Sequence, residues 1–127
     1  MNVALDTNAY SDFMRGDPGR VQVIRTARHI YLPVIVLGEL RAGFAAGNQS
    51  SANAANLQRF LHSSRVSILV PDEQTTHHYA QLYLQLRKKG AAIPTNDLWI
   101  AALVVQHGTV LCTSDAHFAH VPQVPRC

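Results

Sequence analysis

Four carboxylates are placed along this 127-residue chain so that each lies at the end of an apolar run or inside one. They are Asp6 in VALDTN, Glu39 in VIVLGELRAG, Asp97 in IPTNDLWIAA and Asp115 in VLCTSDAHF. A carboxylate in such a setting is costly unless something positive compensates it. Two charges about 4 Å apart interact by roughly 4 kcal/mol at an effective dielectric near 20. If the four converge, some must be protonated or a divalent cation must hold them together. The chemistry this set would support is metal-dependent hydrolysis. Oxygen donors of this kind suit hard ions such as Mg²⁺ or Mn²⁺, not zinc. A carboxylate-held ion lowers the pKa of a bound water and so makes a nucleophile, and a second ion about 3.5–4 Å away would stabilise the leaving oxygen of a phosphodiester. No side-chain nucleophile is then needed, and the chain contains neither a G-x-S-x-G elbow nor a G-x-x-x-x-G-K phosphate loop.

Each acid also has a plain structural explanation. Asp6, Asp97 and Asp115 all stand where a helix can begin, and Asp is favoured there as a cap and beside the positive end of the helix dipole. Glu39 lies mid-helix between Leu37 and Leu40, and Arg41, only two residues on, points elsewhere. A solvent-facing position is its remaining alternative.

Eight acids stand against eleven Lys and Arg, giving a net charge of +3. Setting the four aside leaves Asp12, Asp17, Asp72 and Glu73 against the same basic residues, so the rest of the surface is basic. Such a surface serves solubility, and it also suits nucleic acid or an acidic partner protein. Arg15, Arg20, Arg25, Arg28 and Arg41 flank the first two acids and are candidates to steer a phosphate backbone or receive an acidic partner segment. Arg87-Lys88-Lys89 falls in the last turn of an expected helix, where the dipole alone accounts for it; phosphate contact is the functional alternative. His77-His78 and the pair His117 and His120 read as surface or core side chains rather than as a transition-metal site. Trp99, beside Asp97, reads as core. Cys112 and Cys127 make neither a disulfide framework nor a zinc pattern, and Cys112 reads as a small buried residue.

The elements that must position the acids follow from periodicity. Asn2–Leu5 is an expected strand ending at Asp6, and a helix runs from Thr7 or Asn8 through Met14, stopped by Gly16 and Pro18. Val21, Ile24 and Ala27 or Arg28 give helical spacing. Ile30–Leu32 is a second strand closed by Pro33, and Val34, Leu37, Leu40 and Phe44 mark a helix that Gly47 stops. GNQSSANAAN is expected to be a loop leading into a helix through Phe60 and Leu61. Val66–Val70 is a third strand. Asp72 opens a long helix with the apolar stripe Tyr79, Leu82, Tyr83 and Leu86, ended by Gly90. A buried helix spans Asp97–Gln106, and Thr109–Thr113 is a fourth strand. The segment HVPQVPRC, with two prolines, is expected to be irregular or at best a short edge strand. Alternating strands and helices imply one α/β domain, residues 1–127, with a mainly parallel sheet, whose ligands bind beyond the carboxyl ends of the strands. Asp6 and Asp115 fall at such ends. The chain begins with a strand-like MNVALD rather than a leader, and its longest apolar run, Leu98–Val105, is far short of the ~20 residues a membrane span needs, so the expected location is cytoplasmic.

With these residues in view, the chain resembles a PIN-domain ribonuclease, and specifically the VapC-type toxin of a type II toxin–antitoxin pair. The likeness runs nearly end to end and rests on LDTNAYSDFMRGDP, LGELRAGF, IPTNDLWIAA and LCTSDAHF in this order. It implies a Rossmann-like parallel sheet flanked by helices, Mg²⁺- or Mn²⁺-dependent endonucleolytic cleavage of RNA, a homodimer, and a cognate antitoxin whose tail inserts near the acidic pocket. It implies that Asp6, Glu39, Asp97 and Asp115 are the catalytic acids and metal ligands. Asp6 and Asp97 lead this set, with Asp115 and Glu39 completing the site or binding a second ion. Thr7, Asn8 and Thr113 would orient those ligands. Two other classes compete. A phosphotransfer or receiver domain wants a second Asp two residues after the first, where Asn8 stands, or paired acids and a late Lys, which are absent. A catalytically silent PIN-like binding module would not need four buried carboxylates.

Overall fold

Short runs of Val, Ile and Leu become the strands of a parallel sheet, buried along Val3–Leu5 and open to solvent at Ser67 and Ile68 on one edge. The computed structural model describes residues 1–127. In chain order its elements are β1 (Asn2–Leu5), α1 (Thr7–Met14), α2 (Pro18–Thr26), β2 (His29–Pro33), α3 (Val34–Ala46), α4 (Ser50–Leu61), β3 (Val66–Leu69), α5 (Glu73–Lys89), α6 (Thr95–His107) and β4 (Val110–Cys112). A short 3-10 turn, Ala116–His120, follows. The sheet order is β3-β2-β1-β4 and every pairing is parallel. Val3, Ala4 and Leu5 of β1, Leu32 of β2 and Leu111 of β4 are fully buried. They merge with Val36, Leu40, Leu57 and Ala101–Ala102 into one hydrophobic cluster.

The helices are anchored by their starts. Asp17 and Asp72 cap α2 and α5, accepting from the backbone N–H of Arg20 at 3.0 Å and of Thr75 at 3.1 Å. The Asp72 carboxylate also accepts from Gln106 Nε2 at 3.0 Å, which ties the start of α5 to the end of α6. This bond, with the cap, holds Asp72 below the usual carboxylate range. Trp99 of α6 is half-buried and stacks on Tyr79 of α5 with ring centroids 4.2 Å apart.

Several boundaries differ from the sequence expectation. The stretch expected to be a loop up to Asn56 is helical from Ser50. Its alanines carry high helix propensity and buried Leu57 anchors it, so polarity marks an exposed helix face here. α6 starts at Thr95 rather than Asp97, β3 stops at Leu69, and β4 is confined to Val110–Cys112. Tyr83, placed on the buried stripe of α5, is half exposed, while Leu82 and Leu86 are buried. The proline-bearing segment after Val121 runs parallel to β4: Leu111 N–H donates to Pro125 O at 2.8 Å and Cys127 N–H to Leu111 O at 2.9 Å. Leu32→Ala, which empties a fully buried site at the sheet centre, is expected to cost about 2–5 kcal/mol in urea unfolding.

Candidate active site

In this strand order β1 separates β2 from β4, so the chain winds to one side from β1 to β2 and to the other to reach β4. A crevice opens at such a switch point, beyond the carboxyl ends of the two strands. Register then decides which side chains meet there. Leu5 pairs with Cys112, and one step further Asp6 N–H donates to Cys112 O at 3.3 Å. Asp6 therefore emerges beside Thr113, whose hydroxyl donates to Asp6 Oδ2. The same hydroxyl oxygen accepts from Asp115 N–H at 2.9 Å. Asp6 also caps α1 through Ala9 N–H at 2.8 Å, and Asp115 caps the 3-10 turn through His117 N–H at 2.9 Å.

The helices bring the other two acids. α3 packs against both α1 and α6. Thr7 of α1 donates its hydroxyl to Glu39 Oε1 at 2.6 Å, and Asn96 of α6 donates to Glu39 Oε2 at 3.3 Å. Asp97 stands in the first turn of α6 but makes no cap; the residue before that helix is Pro94. Its Oδ2 lies 2.8 Å from His117 Nδ1, and the same nitrogen is 3.0 Å from Asp115 Oδ1. Asp6, Thr7, Asn8, Glu39, Asp97, Ile100 and Asp115 line one cavity of about 200 Å³. All four acids singled out in the sequence thus share it. Thr113 sits behind Asp6, whereas Asn8 only lines the wall. Larger cavities elsewhere hold no such set of acids.

The electrostatics of the cavity favour a cation. Burial raises Asp6 above the ordinary aspartate range, and Asp115 adds to the rise; Thr113, Ala9 N–H and the Arg20 charge oppose it. Asp97 is raised too, first by burial and then by the charges of Asp115 and Glu39, against the pull of His117. His117 is raised in turn, chiefly by its hydrogen bond to Asp97. Oxygens of Asp97 and Asp115 and a nitrogen of His117 all lie within 4.8 Å of one another. Crowded carboxylates with hydroxyl and amide donors behind them fit a hard divalent ion.

Sequence reasoning missed two contributors. His117 was placed among surface or core histidines, yet it bridges two of the acids. Asn96, in the first turn of α6, was not singled out, yet it reaches Glu39, 57 residues away in the chain. No local pattern announces either one. Of the arginines near the first acids, Arg20 acts on Asp6 through its charge and donates to Ser114 Oγ at 2.9 Å and Cys127 O at 3.0 Å. Arg15 pairs instead with Asp12 at 2.6 Å.

A family model for the PIN domain matches residues 3–124. This chain belongs to the PIN-domain family. It is 36% identical over 91 residues to ribonuclease VapC4 of Mycobacterium tuberculosis, an alignment covering 72% of this chain and 70% of that protein. With ribonuclease VapC1 of Haemophilus influenzae it shares 33% identity over 113 residues, 86% of this chain and 83% of the relative. Among solved structures it is similar to VapBC2 from Rickettsia felis bound to a promoter DNA fragment, with a TM-score of 0.84 and 26% identity over 100% of this chain and 98% of that one. DNA-bound VapBC from Salmonella typhimurium superposes with a TM-score of 0.86 at 25% identity, covering 100% and 97% of the two chains.

Two outcomes follow from this geometry. Thr113→Val removes the donor to a buried carboxylate and should cost about 1–3 kcal/mol in urea unfolding, while Thr113→Ser should restore most of it. Because the folded chain raises Asp97, the stability linked to its protonation is present below the unfolded value and is lost as pH rises through the raised one. In chelator at neutral pH, Asp97→Asn should therefore melt above the wild type, and the gap should close as pH falls.

Proposed function

We propose that this chain is a metal-dependent endoribonuclease of the VapC type, the toxin of a type II toxin–antitoxin pair. The observation that carries the proposal is the meeting of Asp6, Glu39, Asp97 and Asp115 in one cavity at the switch point of a PIN-domain sheet. The named ribonuclease relatives support it. Asp6 and Asp97 are the principal ligands of Mg²⁺ or Mn²⁺, and Asp115 and Glu39 complete the site or hold a second ion. Thr113 orients Asp6 and Thr7 orients Glu39, each through one hydroxyl. Asn8, on the cavity wall, is the third residue of the set that would orient the ligands. When bound, the ion supplies an activated water and neutralises charge developing at phosphorus. The protein's own part is to aim the carboxylates, and to hold the RNA backbone with basic side chains, among them Arg20, whose charge acts on Asp6.

The partners follow the same proposal. Several of the similar solved structures are VapBC complexes, which supports a cognate antitoxin as the inhibitor. A homodimer is supported by the exposed Tyr83 and Leu84 on α5, next to an apolar cleft lined by Leu86, Ile93 and Leu98. No helix is long and apolar enough to cross a membrane. We place the activity in the cytoplasm, where an RNA substrate would be met.

Purified protein should cut RNA internally in the presence of Mg²⁺ or Mn²⁺ and stop when EDTA is added. Asp6→Asn and Asp97→Asn should each lower the cleavage rate about a hundredfold or more, the scale of losing one element of charge stabilisation. Full activity in either variant, or undiminished cleavage in EDTA, would overturn the proposal.

A further inference from the structure

The two cysteines lie 15 positions apart in sequence, and the fold sets their sulfurs 2.8 Å from each other. The backbone explains why. Cys127 N–H donates to Leu111 O at 2.9 Å, and Thr113 N–H donates to Cys127 O at 3.3 Å. Those two bonds make Cys127 the parallel neighbour of Cys112, on the free side of β4. Neighbouring strands run about 4.8 Å apart, and paired residues in parallel strands point to the same face. That spacing falls within the Cα separation a disulfide spans. Accessibility divides the pair: Cys112 is 1% exposed, while Cys127 is open to solvent. The arrangement is held from several sides. Val121 and Val124 are buried, and Arg20 grips Cys127 O at 3.0 Å.

We propose that Cys127 and Cys112 form a site of reversible thiol oxidation, in which Cys127 reacts with a low-molecular-weight disulfide and Cys112 resolves the adduct. In the first step the Cys127 thiolate attacks one sulfur of oxidised glutathione, forming a mixed disulfide and expelling one glutathione thiolate. In the second, Cys112 attacks Cys127 Sγ, forming the internal disulfide and expelling the second glutathione, whose departing thiolate takes up the Cys112 proton. Two protein thiols are oxidised and one external disulfide is reduced to two thiols. The new bond clamps the Val121–Cys127 segment to β4, immediately before Thr113 and Asp115 of the acidic cavity. This proposal does not depend on the nuclease activity.

The test is incubation of the full chain with oxidised glutathione, followed by intact-mass and peptide mapping. The wild type should lose two hydrogens, carry no glutathione, yield one Cys112–Cys127 cross-linked peptide and melt several degrees higher than the reduced protein. Dithiothreitol should reverse both changes. Cys112→Ser, or Cys112→Ala if the serine variant folds poorly, should stop at a stable glutathione adduct on Cys127. Cys127→Ser should leave Cys112 unmodified. A wild type that retains glutathione on Cys127 with Cys112 free, or that forms only Cys127-linked dimers, would overturn the proposal, as would modification of Cys112 in Cys127→Ser.

Discussion

The pairing of β1 with β4 is the constraint on which the site depends. These strands lie at opposite ends of the chain, yet Val3, Ala4 and Leu5 pair in order with Val110, Leu111 and Cys112. A slip of one residue would turn every side chain to the other face of the sheet, driving buried Leu5 and Leu111 off their packing partners. Core packing thus fixes the register, and the register delivers Asp6 to Thr113. The helix starts then use the same groups. Asp6 and Asp115 were each explicable from sequence as a cap or as a site residue, and the structure makes both of them caps that also line the cavity. One carboxylate oxygen is spent on the backbone in each case, which leaves the other free to face the cavity or its supports.

Placing four carboxylates together works against stability. Asp6 and Asp97 are raised first by burial, and neighbouring acids add to the rise. What counters this is local: two hydroxyls, two backbone N–H groups, the Asn96 amide and the His117 imidazole, all aimed at the acids. The cost is carried by the surrounding sheet and by the fully buried stretch Ile100–Val104 of α6, the helix that carries Asp97. Such a trade of stability for function is common where a site must be charged and rigid at once.

The layered fold was legible because period-2 and period-3.6 patterns are local, and so was the carboxyl edge as the place for a ligand. The strand order was not, since nothing local in VALDTN or VLCTSDAHF says that these segments are neighbours. The likeness to a known family supplied that grouping. Helix α4 was misread because exposed alanine, serine and asparagine look alike in loops and on solvent-facing helix surfaces. His117 escaped because its partners Asp97 and Asp115 come together only through the packing of α6 on the 3-10 turn. The cysteine pair escaped for a related reason: Pro122 and Pro125 mark an irregular segment, and they do not reveal that it lies along β4.

Charge ties these features together. Every acid outside the cavity is engaged at or beside a helix terminus: Asp12 with Arg15, Asp17 and Asp72 as caps, Glu73 in the first turn of α5. Of these acids only Asp12 pairs with an arginine, so most of the eleven Lys and Arg have no carboxylate partner. Some of those are absorbed by the fold, as when Arg65 donates to Ile24 O at 3.0 Å and Ala27 O at 2.8 Å. A carbonyl partner leaves the arginine charge intact, and Arg25, Arg28, Arg41 and Arg87 are exposed. The result is a surface that attracts a polyanion surrounding a cavity that would repel one. An ion bound in the cavity would remove that repulsion at the point where a phosphate would approach. Cation binding and polyanion binding should then reinforce each other, with the attraction weakening as salt screens the outer charges.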